Sequence, residues 1–407
     1  MTRALLLEDP HTDADKIFAA QGIEVIRHHG ALDEDELISA LEGVNIVGIR
    51  SKTNLTKKVF DAHPQLRAVG AFCIGTNQID LAAATSSGVA VFNAPYSNTR
   101  SVVELAIAEI IALTRRLTVR NSKLHRGIWD KSAAGSHEVR GRTLGIVGYG
   151  NIGTQLSVLA EALGMQVVFY DIAERLALGN ARRVATLEEL LAISDIVSLH
   201  VDGAATNQSL FGAKQFAAMK PGSLFINLSR GFVTDLEALS AALESGHIAG
   251  AAVDVFPTEP KQNGDPFDSP LVGMENVILT PHVGGSTMEA QIDIAHFVAA
   301  KLCDYERAAT TEMSVNLPNL VLQPTDTSRF RLALIHRNTP GVLATLNQLF
   351  ATYGANIDGQ ILSTIEDTGY VLTDLSTPLP ESALEAIGKL DEIIRMRVVE
   401  RTSPIPS

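Results

Sequence analysis

A glycine-rich turn is the first part of the chain whose residue types and spacing indicate chemistry. Residues 148–153 read Gly-Tyr-Gly-Asn-Ile-Gly, directly after an apolar run at 144–147 and at the start of a helical pattern. In this context the glycines allow a tight turn and a close approach to a pyrophosphate, while the helix N-terminus offers unpaired N–H groups. The turn predicts a dinucleotide site made by Gly148, Tyr149, Gly150, Asn151, Ile152 and Gly153.

The next apolar run ends at a carboxylate that selects between nucleotides. Asp171 stands where an acidic residue can accept hydrogen bonds from the adenosine ribose hydroxyls, and it would repel a ribose phosphate. Arg175 could pair with such a phosphate if the loop bent, whereas Glu174 beside it works in the opposite direction. The sequence therefore favours NAD over NADP.

Three ionisable side chains, each after a later apolar run, suit the oxidation of a hydroxy acid. Arg230, in the segment 227–231, can hold a substrate carboxylate through two parallel bonds, although a structural salt bridge is the alternative. His282, in the segment 280–285, can exchange a proton near neutrality. Glu259 would fix its tautomer and raise its pKa. The hypothesis is a hydride transfer with an acidic residue and a histidine paired for proton transfer.

A basic loop near the N-terminus suits a phosphorylated substrate. Arg50, Ser51, Lys52 and Thr53 follow an apolar run and bring two cations and two hydroxyl groups together. Such a loop fits a doubly charged phosphate better than an unsubstituted carbon chain, and Lys52 provides a point charge without the fork of an arginine. A solvated basic turn is the alternative.

Composition excludes several classes of protein. The 407 residues contain 33 Lys and Arg against 46 Asp and Glu, a net charge of −13, which argues against nonspecific binding to nucleic acid or to an anionic membrane. Two cysteines, Cys73 and Cys303, are too few for a disulfide framework and lack metal-finger spacing, so no metal is expected. With no signal-like N-terminus and no apolar stretch long enough to cross a membrane, the sequence predicts a soluble cytoplasmic protein.

The elements that must position these side chains follow two patterns. Through the first 300 residues, short apolar runs alternate with helical segments, which indicates parallel α/β units. The stretch 101–113 is apolar on almost every face, which predicts a helix inside one large core or, as fits better, between domains or protomers. From residue 329 the order βαββαβ predicts a ferredoxin-like fold, in which Phe330, Leu332 and Leu334 alternate as in a half-buried strand.

Together these motifs resemble the D-2-hydroxyacid dehydrogenase family, and more closely its D-3-phosphoglycerate dehydrogenase branch with a C-terminal ACT regulatory domain. The resemblance spans nearly the whole chain. It implies an α/β fold with two doubly wound parallel-sheet domains: a flavodoxin-like substrate domain at 1–98, completed by 285–306, and an inserted Rossmann NAD-binding domain at 99–284. A linker at 307–328 and a ferredoxin-like ACT domain at 329–407 follow.

The resemblance also implies a reaction and its residues. The reaction is NAD-dependent oxidation of 3-phospho-D-glycerate to 3-phosphohydroxypyruvate, the first step of L-serine biosynthesis, in a homotetramer, with His282 as the proton donor or acceptor. Asn98 becomes a plausible substrate contact, and Lys131 matches a lysine that reaches a neighbouring subunit's site, although a surface lysine is as good an interpretation. The expected further cofactor contacts are Leu228, Ser229, Arg230, Asp254, His282, Val283, Gly284 and Gly285.

In the C-terminal part, His336, Asn338 and Asn356 resemble the amino-acid-binding turn of ACT domains, which implies L-serine as a feedback effector, with a ligand-free fold as the alternative. Relatives carry a glycine-rich hinge before this domain, whereas the segment 322–329 has none. Two other functions stay open: a dehydrogenase of another 2-hydroxy acid, such as 2-hydroxyglutarate or glycerate, and a nonenzymatic NAD-sensing corepressor.

Overall fold

A computed structural model describes residues 1–260, 264–325 and 328–400. The chain divides into two compact units, one made of Met1–Pro95 with Ile292–Ser407 and the other of Tyr96–Gln291. The finer division into substrate domain, NAD-binding domain, linker and ACT domain stays a prediction. Residues 326–327 of the predicted linker and 401–407 of the predicted ACT domain lie outside the described residues.

The first unit opens with a parallel sheet of five strands in the order β2-β1-β3-β4-β5, which is the flavodoxin-like order. Its inner strands β3 and β4 are fully buried runs without a polar side chain, because helices cover both faces of a doubly wound sheet. The elements are β1 (Arg3–Leu7), α1 (Asp13–Ala20), β2 (Glu24–His28), α2 (Glu34–Ala40), β3 (Ile46–Ile49), α3 (Lys57–Ala62), β4 (Ala68–Ala71), α4 (Leu81–Ser86) and β5 (Ala90–Asn93).

The second unit is built on a parallel sheet in the order β12-β11-β10-β9-β6-β7-β8, whose reversal beside β6 is that of a Rossmann fold. Its elements are α5 (Thr99–Thr114), α6 (Leu117–His125), β6 (Thr143–Val147), α7 (Asn151–Ala162), β7 (Gln166–Tyr170), β8 (Arg182–Arg183), α8 (Leu187–Ile193), β9 (Ile196–Leu199), α9 (Ala213–Ala218), β10 (Ser223–Asn227), α10 (Leu236–Glu244), β11 (Ile248–Val253) and β12 (Val277–Leu279).

Helix α5 is the helix that the sequence predicts to be buried on several sides. Val103, Ala106 and Ile110 are fully buried in the core of the second unit, where α5 packs on α7 and β10. Leu105 and Ile107 are half-buried and pack against the same core. The prediction that α5 lies between domains or protomers stays a prediction.

The chain returns to the first unit along α11 (Met288–Ala308) and ends in an antiparallel sheet in the order β14-β15-β13-β16, the ferredoxin-like order. The predicted fold class, two doubly wound parallel sheets followed by a βαββαβ unit, is thereby confirmed. The C-terminal elements are β13 (Phe330–Arg337), α12 (Val342–Thr352), β14 (Ile357–Ile365), β15 (Thr368–Leu375), α13 (Glu381–Gly388) and β16 (Ile393–Glu400).

Strand β13 is buried on both faces, so the prediction of a half-buried strand is wrong. Leu332 and Leu334 pack with the residues of α12 and α13. Ala333 and Ile335 face the other way and join a core that contains residues of α11 and of the first sheet. The second face carries Arg331, Ala333 and Ile335, and all three are buried, so the polar residue in the alternation does not mark a face that meets solvent.

Arginines fasten the C-terminal sheet to the rest of the first unit. Arg331 and Asp374 are almost fully buried and form a bidentate ion pair, with Nε–Oδ1 at 2.6 Å and Nη2–Oδ2 at 2.7 Å. Arg331 also donates to the carbonyls of Ala308 and Leu322. Arg395 donates to carbonyls of the first sheet's loops, at Leu66, Pro64 and Ser87. The C-terminal sheet is therefore a packed layer of this unit.

Candidate active site

The glycine-rich turn joins β6 to α7 as the sequence predicts. Gly148 has φ +92°, and a Cβ added there would lie 2.6 Å from the carbonyl oxygen of His200, so only glycine fits. Gly150 is the N-cap of α7 and provides no capping side chain, so the N–H groups of the first turn have no side-chain acceptor there and can bind an anion. These residues fit a dinucleotide pyrophosphate.

Asp171 is held by the turn itself. Its carboxylate accepts bonds from the backbone N–H groups of Tyr149 and Ala173, each at 2.8 Å, and Asp171 is only 9% exposed. The Nε of Arg175 lies 3.5 Å from Oδ2 of Asp171. Because this guanidinium already faces a carboxylate, its attraction for a ribose phosphate is offset. The geometry suits a nucleotide with free ribose hydroxyls, as in NAD.

Arg230 stands on a loop that wraps around a buried asparagine at the end of β10. The Oδ1 of Asn227 accepts bonds from the N–H and the hydroxyl of Ser229, and its Nδ2 donates to the carbonyl of Arg230 and to Oγ1 of Thr234. Sequence reasoning did not single out Asn227, although an asparagine closing a buried strand was a usable signal. It fixes the backbone from which the half-buried Arg230 side chain extends.

A close backbone contact joins this loop to the loop that carries Glu259. A Cβ added to Gly231 would lie 1.9 Å from the carbonyl carbon of Phe256 and 2.5 Å from the nitrogen of Pro257. The contacted atoms are backbone, so they cannot rotate away as a side chain could. The absence of a side chain at Gly231 therefore sets the spacing between the two loops.

His282 and Glu259 form the predicted pair. The Nδ1 of His282 lies 3.0 Å from Oε1 and 2.9 Å from Oε2 of Glu259. The bond to Glu259 raises the pKa of His282 above its ordinary value, against the opposing effect of burial. Burial alone would raise the pKa of Glu259, but the hydrogen bond and charge of His282, the N–H of Phe256 and the charge of Arg230 together outweigh burial and hold that pKa below its usual range. His282 has φ +54°, a strained conformation for a non-glycine residue.

Asp254 holds the loop that carries His282. Asp254 is 1% exposed and accepts bonds from the hydroxyl of Thr280 at 2.6 Å and from the N–H groups of Val283 and Gly284, each at 2.8 Å. Burial, with a smaller effect of Asp254, raises the pKa of Glu109 on α5 to about 8. Glu109 is thus largely protonated at neutral pH and adds little negative charge beside Asp254.

The other predicted substrate residues lie in different parts of the chain. Asn98 lies beside Gly285: a Cβ added to Gly285 would lie 2.3 Å from Nδ2 of Asn98. The buried Oδ1 of Asn98 has no hydrogen-bond partner in the described part of the chain. Lys131 is exposed in the loop after α6, so its role toward a neighbouring subunit stays a prediction. Arg50, Ser51 and Lys52 follow β3 in the first unit.

The predicted effector residues lie at opposite ends of the C-terminal sheet, because His336 pairs with Gly369 of β15 whereas Asn356 precedes Ile357, which pairs with Leu375 at the other end of that strand. His336 is 3% exposed, and its Nδ1 lies 2.8 Å from the carbonyl oxygen of Arg337, so Nδ1 carries the hydrogen. Its buried Nε2 then presents a lone pair, with no partner among the described residues. Asn338 donates to the carbonyl of Glu366, and Asn356 is exposed before β14.

Comparison with known proteins agrees with this geometry. Residues 107–284 match the family model described as D-isomer specific 2-hydroxyacid dehydrogenase, NAD binding domain, and residues 332–395 match an AHAS small subunit-like ACT domain. The chain is 51% identical over 398 residues to the D-3-phosphoglycerate dehydrogenase of Escherichia coli (strain K12), covering 97% of each chain. It is 48% identical over 396 residues to that of Haemophilus influenzae, covering 97% of this chain and 96% of the relative.

A solved structure of a similar protein supports NAD as the cofactor. The crystal structure of D-lactate dehydrogenase from Aquifex aeolicus complexed with NAD and lactic acid matches with a TM-score of 0.69 at 25% identity, covering 78% of this chain and 100% of that one. The fold and the site define an NAD-dependent oxidoreductase. The chain belongs to the D-isomer specific 2-hydroxyacid dehydrogenases and, within them, to the D-3-phosphoglycerate dehydrogenase family with a C-terminal ACT domain. The predicted family and the predicted NAD cofactor are confirmed.

Proposed function

We propose that this protein catalyses the NAD-dependent oxidation of 3-phospho-D-glycerate to 3-phosphohydroxypyruvate, the first step of L-serine biosynthesis. The observation that carries the proposal is the contact of His282 Nδ1 with both oxygens of Glu259, on a loop fixed by Asp254. The names of the relatives support the choice of substrate.

In the proposed mechanism each side chain has one task. Arg230 binds the substrate carboxylate through its guanidinium, and Glu259 keeps the Nδ1–H of His282 in place so that Nε2 is the nitrogen that exchanges a proton. Nε2 takes the hydroxyl proton during oxidation and returns it to the keto oxygen during reduction. Residues 148–153 and Asp171 would hold NAD, which would supply the hydride acceptor for the oxidation. Arg50 and Lys52 bind the phosphate, with Ser51, Asn98 and Lys131 as further contacts.

A spectrophotometric assay tests the reaction and the substrate together. Oxidation of NADH is followed with 3-phosphohydroxypyruvate, with hydroxypyruvate and with 2-oxoglutarate. The proposal expects the highest kcat/KM for 3-phosphohydroxypyruvate. A higher value for either unphosphorylated acid would mean that Arg50 and Lys52 do not select a phosphate.

L-Serine is the proposed feedback effector, bound between paired C-terminal domains, with His336 and Asn338 from one chain and Asn356 from its partner. The buried lone pair on Nε2 of His336 can accept a bond from an ammonium or a hydroxyl group, and serine has both. Millimolar L-serine should inhibit the assay, and Asn356→Ala should weaken that inhibition without lowering activity in its absence. An unaltered inhibition curve would count against the site.

The proposed assembly is a homotetramer in the cytoplasm. None of the helices in the described ranges is long and apolar enough to span a membrane. Mass photometry of the purified protein should give four times the mass of the 43.5 kDa chain. A dominant dimer or monomer at enzyme concentrations that support full activity would contradict the tetramer.

A further inference from the structure

A buried carboxylate lies directly behind the loop that is proposed to bind phosphate. Glu8 follows β1, is 8% exposed and has φ +65°, a left-handed conformation that non-glycine residues adopt at a cost. A glutamate is rarely buried unless its charge is satisfied by hydrogen bonds or an ion pair. Its partners therefore indicate what it does.

Glu8 accepts bonds from three consecutive backbone N–H groups. Its Oε2 lies 3.0 Å from the nitrogens of both Ser51 and Lys52, and its Oε1 lies 2.8 Å from the nitrogen of Thr53. Successive N–H groups that converge in this way form an anion-binding nest, of the kind that often holds phosphate. In this protein the nest is filled by a carboxylate from the same chain.

The same loop is fixed at its other end. The carbonyl oxygen of Arg50 accepts bonds from Nε2 of Gln78 at 2.5 Å and from the thiol of Cys73 at 3.4 Å. The N–H groups of residues 51–53 and the carbonyl group of Arg50 are thus all hydrogen-bonded. The Arg50 side chain, which is half-buried, and the Lys52 side chain, which is exposed, extend from a backbone with little freedom.

We infer that Glu8 is a positioning residue for the recognition of the substrate phosphate. Its carboxylate occupies the nest, so the phosphate is left to the side chains of Arg50 and Lys52, and it holds the backbone that aims them. Binding groups must be kept within about 0.5 Å of their productive geometry. This inference rests on the proposed function, because it requires a phosphorylated substrate.

Glu8→Gln is the first test. The amide keeps the size of the side chain but replaces one acceptor oxygen by an NH₂ group, so at least one of the three N–H groups loses its partner. The KM for 3-phosphohydroxypyruvate should rise about 10-fold, the scale expected for loss of a charge-assisted hydrogen bond. The kcat, the Kd for NADH and the kcat/KM for hydroxypyruvate, which has no phosphate, should stay within about 2-fold.

Two further variants serve as a control and as an intermediate case for Glu8→Gln. Asp9→Asn removes a charge from the adjacent residue, which also has a positive φ but pairs with His29 at 2.6 Å, so it should leave the KM unchanged. Glu8→Asp keeps the charge on a side chain one methylene shorter, and its KM should lie between those of the wild type and Glu8→Gln. If Glu8→Gln fails to fold, the same comparison with Glu8→Asp decides.

Hydrogen exchange separates this inference from the proposed function. The amides of residues 51–53 should exchange faster in Glu8→Gln than in the wild type, whatever the substrate is. Equal losses on 3-phosphohydroxypyruvate and hydroxypyruvate, or an unchanged KM with unchanged exchange, would overturn the positioning role. A wild-type enzyme that does not prefer the phosphorylated acid would instead refute the proposed function and, with it, the phosphate part of the inference.

Discussion

Replacing Gly231 by alanine tests whether the spacing of the two catalytic loops controls turnover. The added Cβ would meet the carbonyl carbon of Phe256 at 1.9 Å, whereas ordinary contact begins at 3.4 Å. The loops that carry Arg230 and Glu259 must therefore separate by about 1.5 Å if the contact is relieved by movement alone. Misplacing a catalytic group by about 1 Å can cost about 100-fold in rate.

We therefore expect Gly231→Ala to lower kcat/KM for 3-phosphohydroxypyruvate by about 100-fold. The overpacking should also lower the free energy of unfolding by about 1–3 kcal/mol. The affinity for NADH, measured by fluorescence titration, should change little, because Gly148 and Asp171 follow β6 and β7, which β9 separates from β10. Steady-state kinetics and denaturant unfolding measure the two effects separately.

Gly212→Ala is the matched control. Gly212 precedes α9, and the nearest atom to its added Cβ is a side-chain oxygen of Gln215 at 3.9 Å, so the substitution should be tolerated. If Gly231→Ala kept kcat/KM within about 3-fold of the wild type, the loop spacing would not control the reaction. That result would show that the contact between Gly231 and Phe256 does not position the catalytic groups.

Three further outcomes follow from the site and from the buried ion pair. The bond to Glu259 raises the pKa of His282, and keto-acid reduction needs the protonated imidazole, so kcat/KM should fall only above the ordinary histidine pKa. In Glu259→Gln the fall in kcat/KM should move to lower pH. An unmoved pH profile would exclude this coupling between the two residues. His282→Ala should lower kcat by at least about 100-fold with near-normal NADH affinity, and unchanged turnover would refute its acid–base role. Asp374→Ala leaves Arg331 buried and unpaired, so chemical denaturation should show a loss of about 3–5 kcal/mol, whereas the exposed Asp367→Ala should cost little.

Much of the fold could be predicted because its signals are local. The turn at residues 148–153 sits between an apolar strand and a helix, and the pair of Glu259 and His282 follows from residue types after strand ends. In parallel sheets the strand ends gather at one edge, so residues far apart in sequence become neighbours. The bond between His282 and Glu259 bears out the hypothesis that they pair, while their catalytic role stays a proposal.

The remaining parts depend on contacts that no local pattern encodes. Glu8 and Asn227 act on loops through backbone groups, and every residue has such groups, so the sequence gives no sign of which ones they bind. The burial of β13 on both faces depends on the surface that covers Ala333 and Ile335, which belongs to elements far away in the chain. A period of two identifies a strand but does not show whether its second face meets solvent.

The layer of residues 329–400 has a consequence for attempts to trim the protein. Tyr370 and Leu372 of β15 share a core with Tyr305, Leu317 and Leu320 of the preceding part of the chain. A shortened enzyme ending before β13 would expose that apolar surface to water and leave the acceptors of Arg331 and Arg395 unbonded. We expect such a truncation to aggregate, so the ACT domain of this enzyme cannot be exchanged for another without redesigning the surface beneath it.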